Sequence, residues 1–241
     1  MDKEKKRRQG GAATTDLVLS SHVGGNAAVF AQLLALHGRD GMSVADVTWG
    51  RGAFWRSVDP SRYRLFPSDI KDGVDCRALP YADGAMDMVV FDPPYIEGFH
   101  RRAGAEPAGG GSHAAFRERY SDGGVGGGAR KYHDAVLMLY LEAAVEARRV
   151  LSDGGTYVVK CQDEVSANRQ RLTHVELVYL YERLGFYCKD VFVVTRTNRP
   201  GVSRLLRQAH ARKNHSYFLV LVKGGVRHSS FRDDLLAAVG G

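Results

Sequence analysis

Acid is missing from one long stretch of this 241-residue sequence: no aspartate or glutamate occurs from Val191 to Arg232. Arg196, Arg199, Arg204, Arg207, Arg212, Lys213, Lys223, Arg227 and Arg232 all fall inside it. A solvated surface normally intersperses both signs, so this run, on a chain of formal net charge +7, points to a polyanionic partner and to phosphate contact. Long apolar runs are missing too. No stretch approaches the roughly 18 residues of a membrane span, which argues against insertion. The opening "MDKEKKRRQGG" lacks the apolar core of a secretory signal, so a cytoplasmic location is expected. Cysteine is scarce: Cys76, Cys161 and Cys188 have no metal-site spacing, and their odd count argues against a disulfide framework. His174 and Glu176 carry no metal spacing either, and no metal is expected.

What is present is an alternation of strand-like and helix-like segments. A helical pattern runs from about Asn26 to His37 and stops at Gly38; others run from about His133 to Val150 and from about His174 to Leu184. Strands are expected at "SVADV", "YRLFPSD", "MDMVVFD", "TYVVKC", "VFVVT" and "SYFLVLVK", with a weaker edge near "VDCRALP". The fold class is therefore α/β: a doubly wound, mostly parallel sheet with helices on both faces and an antiparallel last strand. One domain suffices for this length. It is expected over residues 21–225, after a basic flexible arm at 1–20 and before a tail at 226–241. Two segments interrupt it. Residues 103–130 are too rich in glycine to pack a core and read as a mobile loop or lid, and residues 196–213 are basic.

The chemistry-bearing residues cluster where strands end. In "ADVTWGRGAFW" a strand stops at Asp46 or Val47, a tight turn follows at Gly50 and Gly52, and a helix start is expected beyond it. Glycines in such a turn let backbone amides approach a ligand. Asp69 closes the next strand, where an acid can take both ribose hydroxyls of an adenosine ligand. In "DCRALP", Asp75 can accept from an adenine amino group and Cys76 can offer its backbone amide. The run "VVFDPPY" is the most informative. Its apolar part reads as a strand buried on both faces, and proline cannot donate to a ladder, so the strand stops at Asp92. Pro93, Pro94 and Tyr95 then sit at the carboxyl end of a strand, where open α/β sheets bind ligands.

The order "DVTWGRG", Asp69, "DCRALP" and "DPPY" resembles the S-adenosylmethionine-dependent amino-methyltransferases that modify adenine N6 or cytosine N4 in DNA. The likeness runs from about Ser43 to Lys223, with "GGTYVVKCQD" and "NHSYFLVLVK" matching the later strands. Trp49 departs from the commoner F-x-G-x-G form of the glycine turn. The resemblance implies a Rossmann-like, seven-stranded sheet and S-adenosylmethionine as cofactor. It assigns cofactor binding to Asp46, Thr48, Trp49, Gly50, Gly52, Asp69, Asp75 and Cys76. It assigns catalysis to Asp92, Pro93, Pro94 and Tyr95.

The "DPPY" chemistry also follows from the residues. An exocyclic amine is a poor nucleophile because its lone pair is delocalised into the ring. The Asp92 carboxylate and the Pro93 carbonyl, accepting its two hydrogens, would favour a pyramidal nitrogen and free that lone pair for in-line attack. Consecutive prolines fix φ near −65° and bring no competing amide donor. Tyr95 would stack on the base, which must leave the duplex to be reached. Phe99, Tyr120 or Tyr132 could form the opposite wall. Cys161 follows Lys160 at a strand end and not a proline, so it is not read as a nucleophile, whereas Lys160, Gln162 and Asp163 share the functional edge. Adenine N6 in DNA is the expected target, with cytosine N4 or RNA as alternatives, and a non-catalytic nucleic-acid-binding module as a reading of another class. Arg199, Arg204, Arg207, Arg212 and Lys213 are the expected phosphate contacts. The length leaves no room for a large recognition domain, so target recognition is short, relaxed or shared with a partner subunit.

Overall fold

Strands β2 (Ser43–Asp46), β4 (Met86–Phe91), β5 (Leu151–Cys161) and β9 (His215–Lys223) carry the apolar runs, and their buried residues do not alternate with exposed ones. Such strands must be covered on both faces, so they occupy the interior of a sheet. The computed structural model describes residues 10, 17–95, 120, 132–197 and 207–224. The seven-stranded sheet is completed by β1 (Ser21–Val23), β3 (Arg64–Pro67) and β8 (Phe186–Thr195), in the order β1-β8-β9-β5-β4-β2-β3. All neighbours are parallel except β9, which runs antiparallel to both β5 and β8. The last strand is thus wedged inside the sheet. Its first residues lie beside the carboxyl ends of its neighbours: His215 opposite Thr195 and Tyr217 opposite Cys161.

The period-two alternation of side chains divides the core. Met88 and Val90 face one side with Val158, Phe192, Phe218 and Val220, under α1 (Asn26–His37) and its Val29, Phe30, Leu33 and Leu34. Val89 and Phe91 face the other side with Tyr157, Val159 and Leu219, under α2 (His133–Val150) and α3 (Thr173–Arg183). Helix α2 presents Val136, Leu139, Tyr140, Ala143, Ala144 and Ala147, a stripe at three- and four-residue spacing.

The weak edge expected near "VDCRALP" is not a strand. Residues 73–85 form turns in which Cys76 and Leu79 point into the α2-side core. The seventh strand is β1 at the opposite edge, parallel to β8 with Ser21 opposite Val193. Three residues carry no periodicity, so only the unpaired edge of β8 gives this segment its conformation. The helix start expected after Gly52 is a short 3-10 turn, Ala53–Ser57. It stops at Val58, ahead of Asp59 and Pro60, because the residue before a proline is pushed out of the helical region. Strand β5 begins at Leu151 and carries the "DGG" glycines within it, with a register shift against β4 between Met86 and Met88. A hairpin, β6 (Glu164–Ser166) with β7 (Arg169–Arg171), follows the functional edge. Its turn residues Ala167 and Asn168 both have positive φ, as two-residue hairpin turns of the I′ type require.

Candidate active site

Strand β2 ends at Asp46, and the chain turns through Gly50 and Gly52, whose φ values of 55° and 63° lie in the left-handed region. Asp46 is buried and braces this turn from below: one carboxylate oxygen accepts from the Thr48 amide at 3.2 Å, the other from Trp55 Nε1 at 2.8 Å. Burial pushes its pKa up to about 7 against the pull of those two bonds. Trp55 packs on Phe30 with ring centroids 5.2 Å apart, so the brace anchors the turn in the core. Trp49 lies across Gly52 so closely that a Cβ there would stand 2.7 Å from its ring. Asp69, at the end of β3, ties the next strand end to the same turn. Its carboxylate accepts from the Gly50 amide at 2.9 Å and from the Lys71 amide at 3.0 Å.

The end of β4 is joined to this turn directly. Thr48 Oγ1 accepts a 2.6 Å hydrogen bond from the Asp92 amide. The Tyr95 hydroxyl donates to Asp92 Oδ1. Asp92 keeps an opening to solvent, while protein surrounds it on its other sides. Burial pushes its pKa up to about 6, opposed by the Tyr95 hydroxyl, Lys160 and Arg196. Burial and the adjoining carboxylate push the Tyr95 phenol well above its ordinary value.

These strand ends share one open cleft of about 350 Å³. It is lined by Thr48, Trp49, Gly50, Arg51 and Ala53 from the first turn, Asp69, Ile70 and Lys71 from the second, Asp92, Pro93, Pro94 and Tyr95 from the third, and Tyr120. All four residues of "DPPY" therefore meet four of the eight expected cofactor residues. The other four stand elsewhere. Asp46 lies under the turn and Gly52 is buried beneath Trp49. Cys76 is core, with burial pushing its thiol up to about 12, and Asp75 is held by Arg77 through bonds of 2.8 to 3.1 Å. Arg77 also reaches Glu142 at 3.5 Å.

Of the three candidates for the wall opposite Tyr95, Tyr120 lines the cleft, Tyr132 is exposed at the start of α2, and Phe99 lies outside the described residues. So does most of the glycine-rich segment. Cys161 is wholly buried and its thiol is pushed well up, which keeps the proton on sulfur. Among the expected phosphate contacts, Arg207 and Arg212 are exposed and Lys213 is half-buried, in the segment that leads into β9 at the carboxyl ends of β5 and β8. Arg199 and Arg204 lie outside the described residues. Among the described residues no cluster suits a metal ion, and no helix is long and apolar enough to cross a membrane.

Reading by motif missed Arg51, Ala53, Ile70 and Lys71. The available signal was adjacency, since each sits within two residues of a turn glycine or a strand-end acid.

A family model described as DNA methylase, of the N6/N4 type, matches residues 86–237, more than half of the chain. A search of curated proteins found no match. Among solved structures, the chain is similar to TTHA0409 of Thermus thermophilus, assigned as a DNA modification methylase and complexed with S-adenosyl-L-methionine. Identity is 15%, over 78% of this chain and 58% of that one, with a TM-score of 0.39. TrmN of Thermus thermophilus is 16% identical over 83% of this chain and 50% of its own, with a TM-score of 0.44. A Haloferax volcanii protein assigned as a methyltransferase, in complex with the Trm112 methyltransferase activator, is 13% identical over 85% of this chain and 91% of its own, with a TM-score of 0.45. The chain spans 53–58% of the length of the TTHA0409 chains it matches.

Proposed function

Since the chain belongs to this N6/N4 family of DNA methylases, we propose that it transfers a methyl group from S-adenosylmethionine to the exocyclic N6 amine of adenine in DNA. The observation that carries the reading is one cleft lined both by the glycine turn with Asp69 and by the whole "DPPY" segment, the two joined through Thr48 and Asp92.

S-adenosylmethionine is the methyl donor. It supplies a sulfonium methyl: the carbon–sulfur bond breaks as the carbon–nitrogen bond forms, leaving a neutral thioether and one proton to be shed from nitrogen. The cleft fits such a group. Its volume falls within the roughly 300–1,000 Å³ usual for small-molecule sites. Trp49 offers an apolar wall, and Arg51 and Lys71 offer cations for a carboxylate. Asp69, held by the Gly50 and Lys71 amides, lines the cleft at a strand end where an acid can take a ribose hydroxyl.

Asp92 faces the amine. The Tyr95 hydroxyl bonded to it marks the direction from which a donor approaches this carboxylate. An adenine amine would take that hydroxyl's place, and Tyr95 would turn its ring onto the base. Asp92 and the Pro93 carbonyl would then accept the two amine hydrogens, and Asp92 would pass the shed proton to water. The choice of adenine rests on the motif: in the family that the sequence resembles, cytosine-N4 enzymes more often begin it with serine. The reading extends to a single domain over residues 21–225, with 1–20 as an arm and 226–241 as a tail, and to a cytoplasmic location. Arg207, Arg212 and Lys213, with Arg199 and Arg204, would hold the nucleic-acid backbone, and a partner subunit would share in target recognition.

The test is incubation with methyl-labelled S-adenosylmethionine and duplex DNA, single-stranded DNA or RNA, followed by nucleoside mass spectrometry. Label in DNA N6-methyladenine is the expected result. Label in N4-methylcytosine, or only in RNA, overturns the assignment of substrate.

A further inference from the structure

Lys160 is the next residue of β5 beyond Val159, which pairs with Phe91, so it follows the rung next to which the chain turns into Asp92. Its side chain has no solvent exposure at all. The ammonium donates to Ser216 Oγ at 2.6 Å and lies 4.3 Å from the centre of the Phe218 ring, both on the neighbouring β9. Among the described residues no carboxylate comes within ion-pair distance of it. Burying an ammonium in this way is unfavourable, and methionine would fill the same space without the desolvation. Packing alone therefore does not call for lysine here. Burial lowers its pKa to about 8, and the carboxylate that most opposes this is Asp92.

We infer that Lys160 is a positioning residue for the amine clamp, its buried charge keeping the Asp92 carboxylate ionised and ready to accept from the substrate amine. The inference rests on the proposed role of Asp92. The groups that face Asp92 come from five directions. Tyr95 donates from its own loop, Asp46 repels from the end of β2, Lys160 attracts from β5 beside the neutral Cys161 thiol, the neutral Tyr140 phenol faces it from α2, and Arg196 attracts from just beyond β8. Arg196 is exposed, so water and salt screen it, whereas Lys160 acts through protein. The lysine is in turn faced by Asp92, the protonated Cys161 thiol and Arg196. The Tyr140 hydroxyl donates to the Lys160 carbonyl at 2.8 Å, which anchors this strand end from the α2 side.

The experiment follows the Asp92 carboxyl directly by 13C NMR titration of the full chain, its signal identified by its loss in Asp92→Asn. In the wild type a main inflection near pH 6 and a second, smaller one near pH 8, as Lys160 loses its proton, are expected. Lys160→Met should raise the main midpoint by about one pH unit, remove the second inflection and move the acid limb of kcat/KM for duplex DNA by the same amount. Lys160→Arg should return the main midpoint and the acid limb toward the wild type without restoring the second inflection, since a guanidinium keeps its proton at that pH. A single wild-type inflection, or an unchanged midpoint in Lys160→Met, overturns the inference, and the wild-type titration decides even where the variant does not fold. If the wild type transfers no methyl group, the proposed function fails, while the titration still decides the link between the two residues.

Discussion

Replacing Tyr95 by phenylalanine and by alanine separates the two jobs proposed for it. In the structure the hydroxyl donates to Asp92, so in the proposed reaction a substrate amine must displace it from that acceptor. A hydrogen bond to a charged group is worth roughly 1.5–3 kcal/mol in place, so Tyr95→Phe removes a real competitor while leaving the ring. The same bond also holds the Asp92 pKa down from the level that burial alone would set. Below about pH 6 the two effects oppose one another, whereas at pH 8 the wild-type carboxylate is ionised. At pH 8, then, Tyr95→Phe should keep at least the wild-type kcat/KM for duplex DNA. Tyr95→Ala loses the stacking surface. Base–aromatic stacking contributes roughly 1–3 kcal/mol, which converts to a loss of about 5- to 150-fold. Single-turnover transfer of labelled methyl groups at pH 8 measures both. An alanine variant as active as the wild type would mean that the ring does not hold the base. A phenylalanine variant as poor as alanine would mean that the hydroxyl is the working group.

Gly52→Ala puts an L-residue at φ 63° and its methyl group 2.7 Å from Trp49. Left-handed backbone costs about 1–2 kcal/mol and the ring must move, so urea denaturation should show that loss and calorimetry a weaker affinity for S-adenosylmethionine. Unchanged affinity would remove Trp49 from the cofactor wall. The pH dependence of kcat/KM should rise through about pH 6, because burial raises the Asp92 pKa to that value and, in the proposed role, the carboxyl must be ionised to take the proton shed by the amine. A flat profile from pH 5 to 7 would contradict this. Arg207→Ala with Arg212→Ala should lower the slope of log affinity against log salt by roughly 0.9 for each duplex phosphate that these arginines neutralise. An unchanged slope would put the nucleic-acid face elsewhere.

Local rules carried the central sheet. Continuous apolar runs at β4, β5 and β9 and a clear 3.6-residue stripe in α2 each have one reading, and the structure bears out the mostly parallel, doubly wound sheet with its antiparallel last strand. The rules failed where conformation is set by a neighbour. Strand β1 exists because β8 offers an unpaired edge, and the "VDCRALP" segment is held in turns by ties from α2: the Glu146 carboxylate accepts from the Leu79 amide at 2.7 Å and Arg149 donates to the Leu79 carbonyl at 3.0 Å. The same holds within the site. "DPPY" and the glycine turn were legible because proline fixes φ directly and glycine alone enters the left-handed region without strain. The pairing of Asp75 with Arg77 and the bracing of the turn by Asp46 were not, since a carboxylate that binds a ligand and one that binds its own chain look alike in sequence. Lys160 was legible only as a residue of the functional edge; its burial depends on Ser216 and Phe218, 56 or more positions away.

In the proposed reaction Asp92 serves the methyl acceptor and not the cofactor. That role is tested most directly by measuring, in the Asp92→Ala variant, the affinity for S-adenosylmethionine by calorimetry and methyl transfer to duplex DNA side by side. Transfer should fall to background while cofactor affinity stays within a factor of about three of the wild type, less than about 1 kcal/mol. Full transfer in the variant, or transfer and cofactor binding lost together in a folded protein, would contradict it.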